Sequence, residues 1–88
     1  MLWRFEVILA GIEEMSDELT DALFEAGCAD GTAWSSAGRA GVAFSRDAPT
    51  LDDAIRSAVS DVRKTGCEVQ HVDVDIDQAE LREWLSAV

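Results

Sequence analysis

A chain of 88 residues holds one domain with one modest core. With 48% hydrophobic and 28% charged residues it reads as globular, not disordered, and no apolar run of about 18 residues marks a membrane helix. The net charge is −11, distributed as −7 over residues 1–38, +1 over 39–66 and −5 over 67–88. That balance argues against direct contact with a nucleic-acid backbone and makes a basic protein surface the natural electrostatic complement.

Trp3, Phe5, Val7 and Leu9 alternate with Arg4, Glu6, Ile8 and Ala10, which predicts a first strand with one buried face. Glu6 interrupts the apolar opening, so the pattern is that of a strand and not of a secretory leader, and a cytoplasmic location is expected. Ser16 is placed to cap a helix from Asp17 to about Ala26, ended by Gly27, with Leu19, Ala22, Leu23 and Ala26 inward and Phe24 off the stripe. Two short strands follow, Gly31–Ser36 and Arg39–Arg46, joined by Ala37-Gly38. In the second of them Ala40, Val42 and Phe44 share a face.

Residues 49–66 carry the strongest pattern in the chain. Leu51, Ala54, Ile55, Ala58, Val59 and Val62 fall on one side of a 3.6-residue helix. Thr50 caps it, Asp52 and Asp53 occupy its first turn, Arg63 and Lys64 its last, and Gly66 is the stop. Cys67–Ile76 reads as a fourth strand with Val72, Val74 and Ile76 inward and His71, Asp73 and Asp75 outward. Asp77 with Glu80 forms a capping box for a last helix bearing Leu81, Trp84 and Leu85.

The order predicts an α+β fold, a ferredoxin-like split β-α-β-β-α-β sandwich with an extra C-terminal helix. Residues 1–88 form a single domain, 1–76 the core sandwich and 77–88 the amphipathic helix. Both crossover helices then cover one sheet face. Leu81, Trp84 and Leu85 either fold back over the other face or bind a partner. A sheet of this kind has two edge strands, through which a homodimer is allowed.

No constellation in the sequence carries bond-making chemistry. Asp73, Asp75 and Asp77 alternate as DVDID but lack the glycine and bidentate acid of a calcium loop, and helix capping already accounts for Asp77. His71 is the only histidine, and one titratable residue beside Asp73 does not make a catalytic set. Ser35-Ser36 opens no nucleophile elbow, and SAGRAG matches neither a phosphate loop nor a dinucleotide fingerprint. Cys28 and Cys67 stand 39 residues apart with no metal spacing and are expected as buried thiols. A non-enzyme with no cofactor is the expectation.

The acidic residues carry the sharper reading. Asp17, Asp21 and Glu25 lie at i, i+4 and i+8, with Glu14 and Glu18 beside them. This is either a solvated helix face or a stripe that engages basic groups or imitates a row of phosphates.

DALFEAGCAD (Asp21 to Asp30) followed by VAFSRDAPTLDDAIRSAVSDVRKTG (Val42 to Gly66) resembles a group of short bacterial α+β domains. In that group a DALFEAGCDD segment precedes F-x-R-x-A-x-S-x-x-x-A-I-x-S-A-x-x-D-V. Phe44, Arg46, Ala48, Ala54, Ile55, Ser57, Ala58, Asp61 and Val62 match its recurring positions, and the likeness covers roughly residues 3–76. Members commonly precede a helix-turn-helix like those of antitoxin-type and phage-like regulators. The resemblance implies a regulatory or partner-binding module without catalytic residues. Only a short amphipathic helix follows Ile76 here, so DNA binding does not carry over. Arg46, Ser57 and Asp61 are the matched residues that do not read as core, and they form either a polar link between strand and helix or a contact surface.

The expected function is therefore a small regulatory module that binds a basic protein partner, antitoxin-like or regulator-associated. The alternative is an acidic inhibitor of a nucleic-acid-binding complex that acts as a nucleic-acid mimic. The expected contact residues are Glu14, Asp17, Glu18, Asp21, Glu25, Asp73, Asp75 and Trp84.

Overall fold

The structure, a computed structural model, describes residues 1–74. Six elements follow in the order β1 (Leu2–Ala10), α1 (Asp17–Glu25), β2 (Gly31–Ser36), β3 (Arg39–Asp47), α2 (Leu51–Arg63) and β4 (Glu68–Val74). The fold is α+β, with one four-stranded sheet in the order β2-β3-β1-β4 and every neighbouring pair antiparallel. The expected capping box at Asp77, the last helix and the inward Ile76 lie outside the described residues, as do Asp75 and Trp84.

The alternation read from β1 sets the layers. Trp3, Phe5, Val7 and Leu9 are buried on one face, and the register Phe5↔Phe44 and Val7↔Val42 brings the inward residues of β3 beside them. Phe5 and Phe44 stack with ring centroids 5.4 Å apart. Leu51, Ala54, Ala58 and Val62 of α2 and Leu23 of α1 join the same buried cluster, so both helices cover this face. Alanines at positions 54 and 58 bring α2 close to the strands, and α2 rests on β1, β3 and β4. On β4, Val69 and Val72 pack against this core, with a register shift opposite Ile8 and Leu9.

The helix ends follow their sequence signals. Ser16 Oγ accepts from the Leu19 amide and Thr50 Oγ1 from the Asp53 amide, each meeting one of the first-turn donors that have no intrahelical partner. At the end of α1 the Cys28 amide donates to the Leu23 carbonyl and the Gly27 amide to the Phe24 carbonyl, around Gly27 at φ +116°. These are the paired bonds of a Schellman motif. α2 stops at Arg63, earlier than the 49–66 span, because the Thr65 and Gly66 amides turn back onto the Val62 and Arg63 carbonyls. Gly66 has the expected positive φ but belongs to this closing turn. β3 runs one residue further than expected, to Asp47, whose carboxylate accepts from the N-terminal ammonium at 2.7 Å.

Candidate functional site

The predicted contact residues do not converge. Asp17, Glu18, Asp21 and Glu25 all lie exposed on α1, the side of the helix away from the Leu23 contact with the core. Glu14 lies in the loop before α1, where it lines a depression with Ser35, Ser36 and the Ala37-Gly38 turn. Asp73 sits on the opposite side of the molecule, on the sheet face that neither helix covers, since it pairs with Glu6 and not with an inward residue of β1. The structure therefore offers two surfaces.

The first is the outer face of α1. Four carboxylates stand within nine residues, the last turn carries no basic residue, and none of the four makes an ion pair among the described residues. Phe24 lies at the edge of that acidic face with 65% of its surface exposed. Only Asp21, three residues earlier, and Glu25, next in sequence, adjoin its ring; Thr20 lies on its other side.

The second is the sheet face that neither α1 nor α2 covers. It carries Arg4, Glu6 and Ile8 of β1, Thr32 and Trp34 of β2, Ala43 of β3, and His71 and Asp73 of β4. His71 Nε2 and Asp73 Oδ1 are 3.5 Å apart, both well exposed. The Trp34 ring lies close to Gly41, where a side-chain carbon would sit 2.9 Å from it. Its Nε1–H is buried with no hydrogen-bond partner among the described residues. Ile8, read from the alternation as outward, is only 2% exposed. Among the described residues no group of three or more His, Cys, Asp or Glu side chains is placed to hold a metal ion.

Between α1 and α2 lies a polar cluster that sequence reasoning grasped only in part. Arg46 continues the inward series Ala40, Val42, Phe44 and is 9% exposed. A cation there requires partners, and it has them. Nε and Nη2 donate to the two carboxylate oxygens of Asp30 at 2.7 and 2.9 Å, Nη2 also to the Gly27 carbonyl at 2.9 Å, and Nη1 to Ser57 Oγ at 3.0 Å. Asp61 Oδ2 lies 3.1 Å from Nη1, and Lys64 holds the other Asp61 oxygen. The guanidinium also sits 5.0 Å from the centre of the Phe44 ring.

The expected link of Arg46, Ser57 and Asp61 is thus a strand-to-helix bracket. Asp30 and Gly27 were missed as members. The only signal available was the need itself: an arginine at an inward strand position requires a counter-charge, but Asp47, Asp52, Asp53 and Asp61 all lie nearer in sequence than Asp30 and nothing in the sequence singles Asp30 out. Gly27 is constrained further, because a side-chain carbon on it would stand 2.8 Å from an Asp61 oxygen.

The bracket sets the local protonation chemistry. Its hydrogen bonds from Arg46 hold the Asp30 carboxyl below the usual aspartate value, and they raise the arginine in turn. Cys28, buried beside the bracket, has its thiol pushed up to about 11, first by burial and then by the Asp61 charge. A thiol so shifted is a poor nucleophile. This cluster is internally satisfied and serves the fold.

Comparison of the chain with protein-family models, with curated proteins and with solved structures found no match.

Proposed function

We propose that this chain is a small, non-catalytic regulatory module that binds a protein with a basic surface, antitoxin-like or regulator-associated, and that α1 is its contact element. The observation that carries the reading is the set Asp17, Glu18, Asp21 and Glu25, without ion pairs among the described residues, beside the exposed Phe24. Such an arrangement costs a few tenths of a kcal/mol per like-charge neighbour within the helix and is relieved when cations dock on it. The resemblance to domains that accompany regulators supports the same class. A cytoplasmic setting and the absence of a cofactor belong to this proposal.

The fold that goes with it is the ferredoxin-like split β-α-β-β-α-β arrangement. The order β2-β3-β1-β4, with α1 joining β1 to β2 and α2 joining β3 to β4, supports that assignment.

The nucleic-acid-mimic alternative draws on the four-residue steps from Asp17 to Asp21 to Glu25, each about 6 Å along the helix axis. Nine helical residues span only about 13 Å, which matches some four phosphates of one strand. So short a stripe favours a protein contact over imitation of a nucleic-acid tract.

The test is capture of partners from a bacterial lysate by the wild-type chain and by a variant carrying Asp17→Asn, Glu18→Gln, Asp21→Asn and Glu25→Gln. The reading expects a stoichiometric basic protein held by the wild type and lost from the variant. Retention of the same protein by the variant removes α1 as the contact. Displacement of the captured protein by added duplex DNA favours the mimic.

A further inference from the structure

The outer flank of α2 is the counterpart of α1. Ile55 and Val59, one turn apart, are only half-buried and form the floor of a shallow groove rimmed by Arg56, Ser60, Arg63 and Lys64. Arg56 is held by Asp52 at 2.9 Å with both side chains largely in water, and Lys64 by Asp61. Arg63 makes no ion pair among the described residues. In a chain of net charge −11, this is an apolar floor with a basic rim.

We propose that this groove takes α1 of a second copy, with Phe24 set against Ile55 and Val59 and the neighbouring acids Asp21 and Glu25 facing Arg56 and Arg63. The inference rests on the reading of α1 as a contact element and names a partner for it. Three features carry it. The knob is an exposed aromatic ring bordered by acids, and the groove is apolar with a basic rim, so the two match in both polarity and charge. Both helices lie over the same sheet face, so a two-fold axis running between them sets α1 of each copy on α2 of the other, and the contact closes without leaving a free end. The opposing term is the like net charge of the copies. It acts over distances that salt screens at about 8 Å, while the contact pairs are screened much less.

The experiment is sedimentation velocity on the full chain over a micromolar to submillimolar range at about 150 mM salt. One variant, Asp21→Lys with Glu25→Lys, reverses the knob side. A second, Arg56→Glu with Arg63→Glu, reverses the groove side. All four positions are exposed, and circular dichroism checks that each variant is folded.

The wild type is expected to dimerise. Each variant alone weakens the dimer at least about tenfold, because the symmetry doubles every lost pair. An equimolar mixture of the two variants recovers a dimer, since reversed acids then face reversed bases. A wild-type chain that stays monomeric overturns the inference, as does a dimer indifferent to either variant or a mixture that does not recover. A monomer that still captures a basic protein through α1 leaves the partner reading standing, so the two failures are distinct.

Discussion

The two helices share one sheet face and divide the work differently. α2 has 13 residues, buries Leu51, Ala54, Ala58 and Val62, and carries charges of both signs. α1 has nine, buries only Leu23, and carries charges of one sign. A helix held by four buried residues belongs to the core, whereas one held by the buried Leu23 and the half-buried Leu19 is attached to it. Beyond Leu23, α1 is fixed by the half-buried Leu19 and by a polar contact at its end, where Arg46 reaches the Gly27 carbonyl, Asp30 just past it, and Asp61 on α2. The contrast teaches that the acidic helix is held from its C-terminal end by a charged bracket, which leaves its outer face free of structural duty.

The largest test removes the bracket. Arg46→Met keeps much of the apolar stem but leaves Asp30 and the Gly27 carbonyl without their cation and Asp61 with Lys64 alone. Breaking a buried ion pair on one side costs about 3 to 5 kcal/mol, and the partial exposure of Asp30 and Asp61 puts this case near about 3. Urea denaturation should show that loss. A loss below about 1 kcal/mol would mean that water replaces the guanidinium and that the bracket is dispensable.

Leu23→Ala should follow at about 2 to 3 kcal/mol. Its use lies in where the loss appears. If α1 is an attached element, hydrogen exchange should accelerate most at the α1 amides and least at those of β1, β3 and α2. Equal acceleration across α1 and α2 would make the two helices one cooperative unit and erase the contrast.

Acid should loosen the bracket by a smaller step. Asp30 in the folded chain titrates below its ordinary value of 3.8 because Arg46 donates to it. The unfolded chain therefore takes up the proton first as pH falls. The stabilisation is complete above the ordinary aspartate value and is lost as pH drops through the folded one. Urea midpoints between about pH 6 and pH 3 should fall with a slope that Asp30→Asn flattens. An unchanged slope in that variant would assign the acid limb to other carboxylates.

How much of this was legible in the sequence depends on the range of each interaction. The β1 alternation and the cap-to-cap pattern of α2 are local, and both are read correctly, with boundaries two or three residues generous where turn bonds compete with the last helical turn. The sheet order follows from element order and short connections. Arg46 marks the limit. Its inward position is evident from period two, but its partners Asp30 and Asp61 lie 16 and 15 residues away on other elements. Only the folded chain selects them among 18 acids. Ile8 fails for a related reason, because alternation assigns a face and not what covers it. The candidate contact residues divide in the same manner. Those on α1 share one helical face as spacing requires, while Asp73, grouped with them by charge alone, emerges on the opposite face of the sheet.

The smallest effect is placed where neither helix is touched. Ala37 and Gly38 join β2 to β3 with φ values of +52° and +76°. Positive φ at both central residues defines the tight turn whose twist suits a hairpin, and alanine is the wrong residue for the first position. Ala37→Gly removes the side-chain strain but gives back part of the gain as unfolded-chain entropy, leaving about 0.5 kcal/mol and a rise in Tm of about 2 to 4 °C. Ala37→Asn, which creates an Asn-Gly pair, should do at least as well because asparagine tolerates the left-handed region without glycine's freedom. Since the turn belongs to neither helix nor the bracket, the gain should leave the relative protection of the two helices unchanged. A variant that raises Tm and also selectively protects α1 would show that the acidic helix is held through the sheet as a whole and not by its bracketed end.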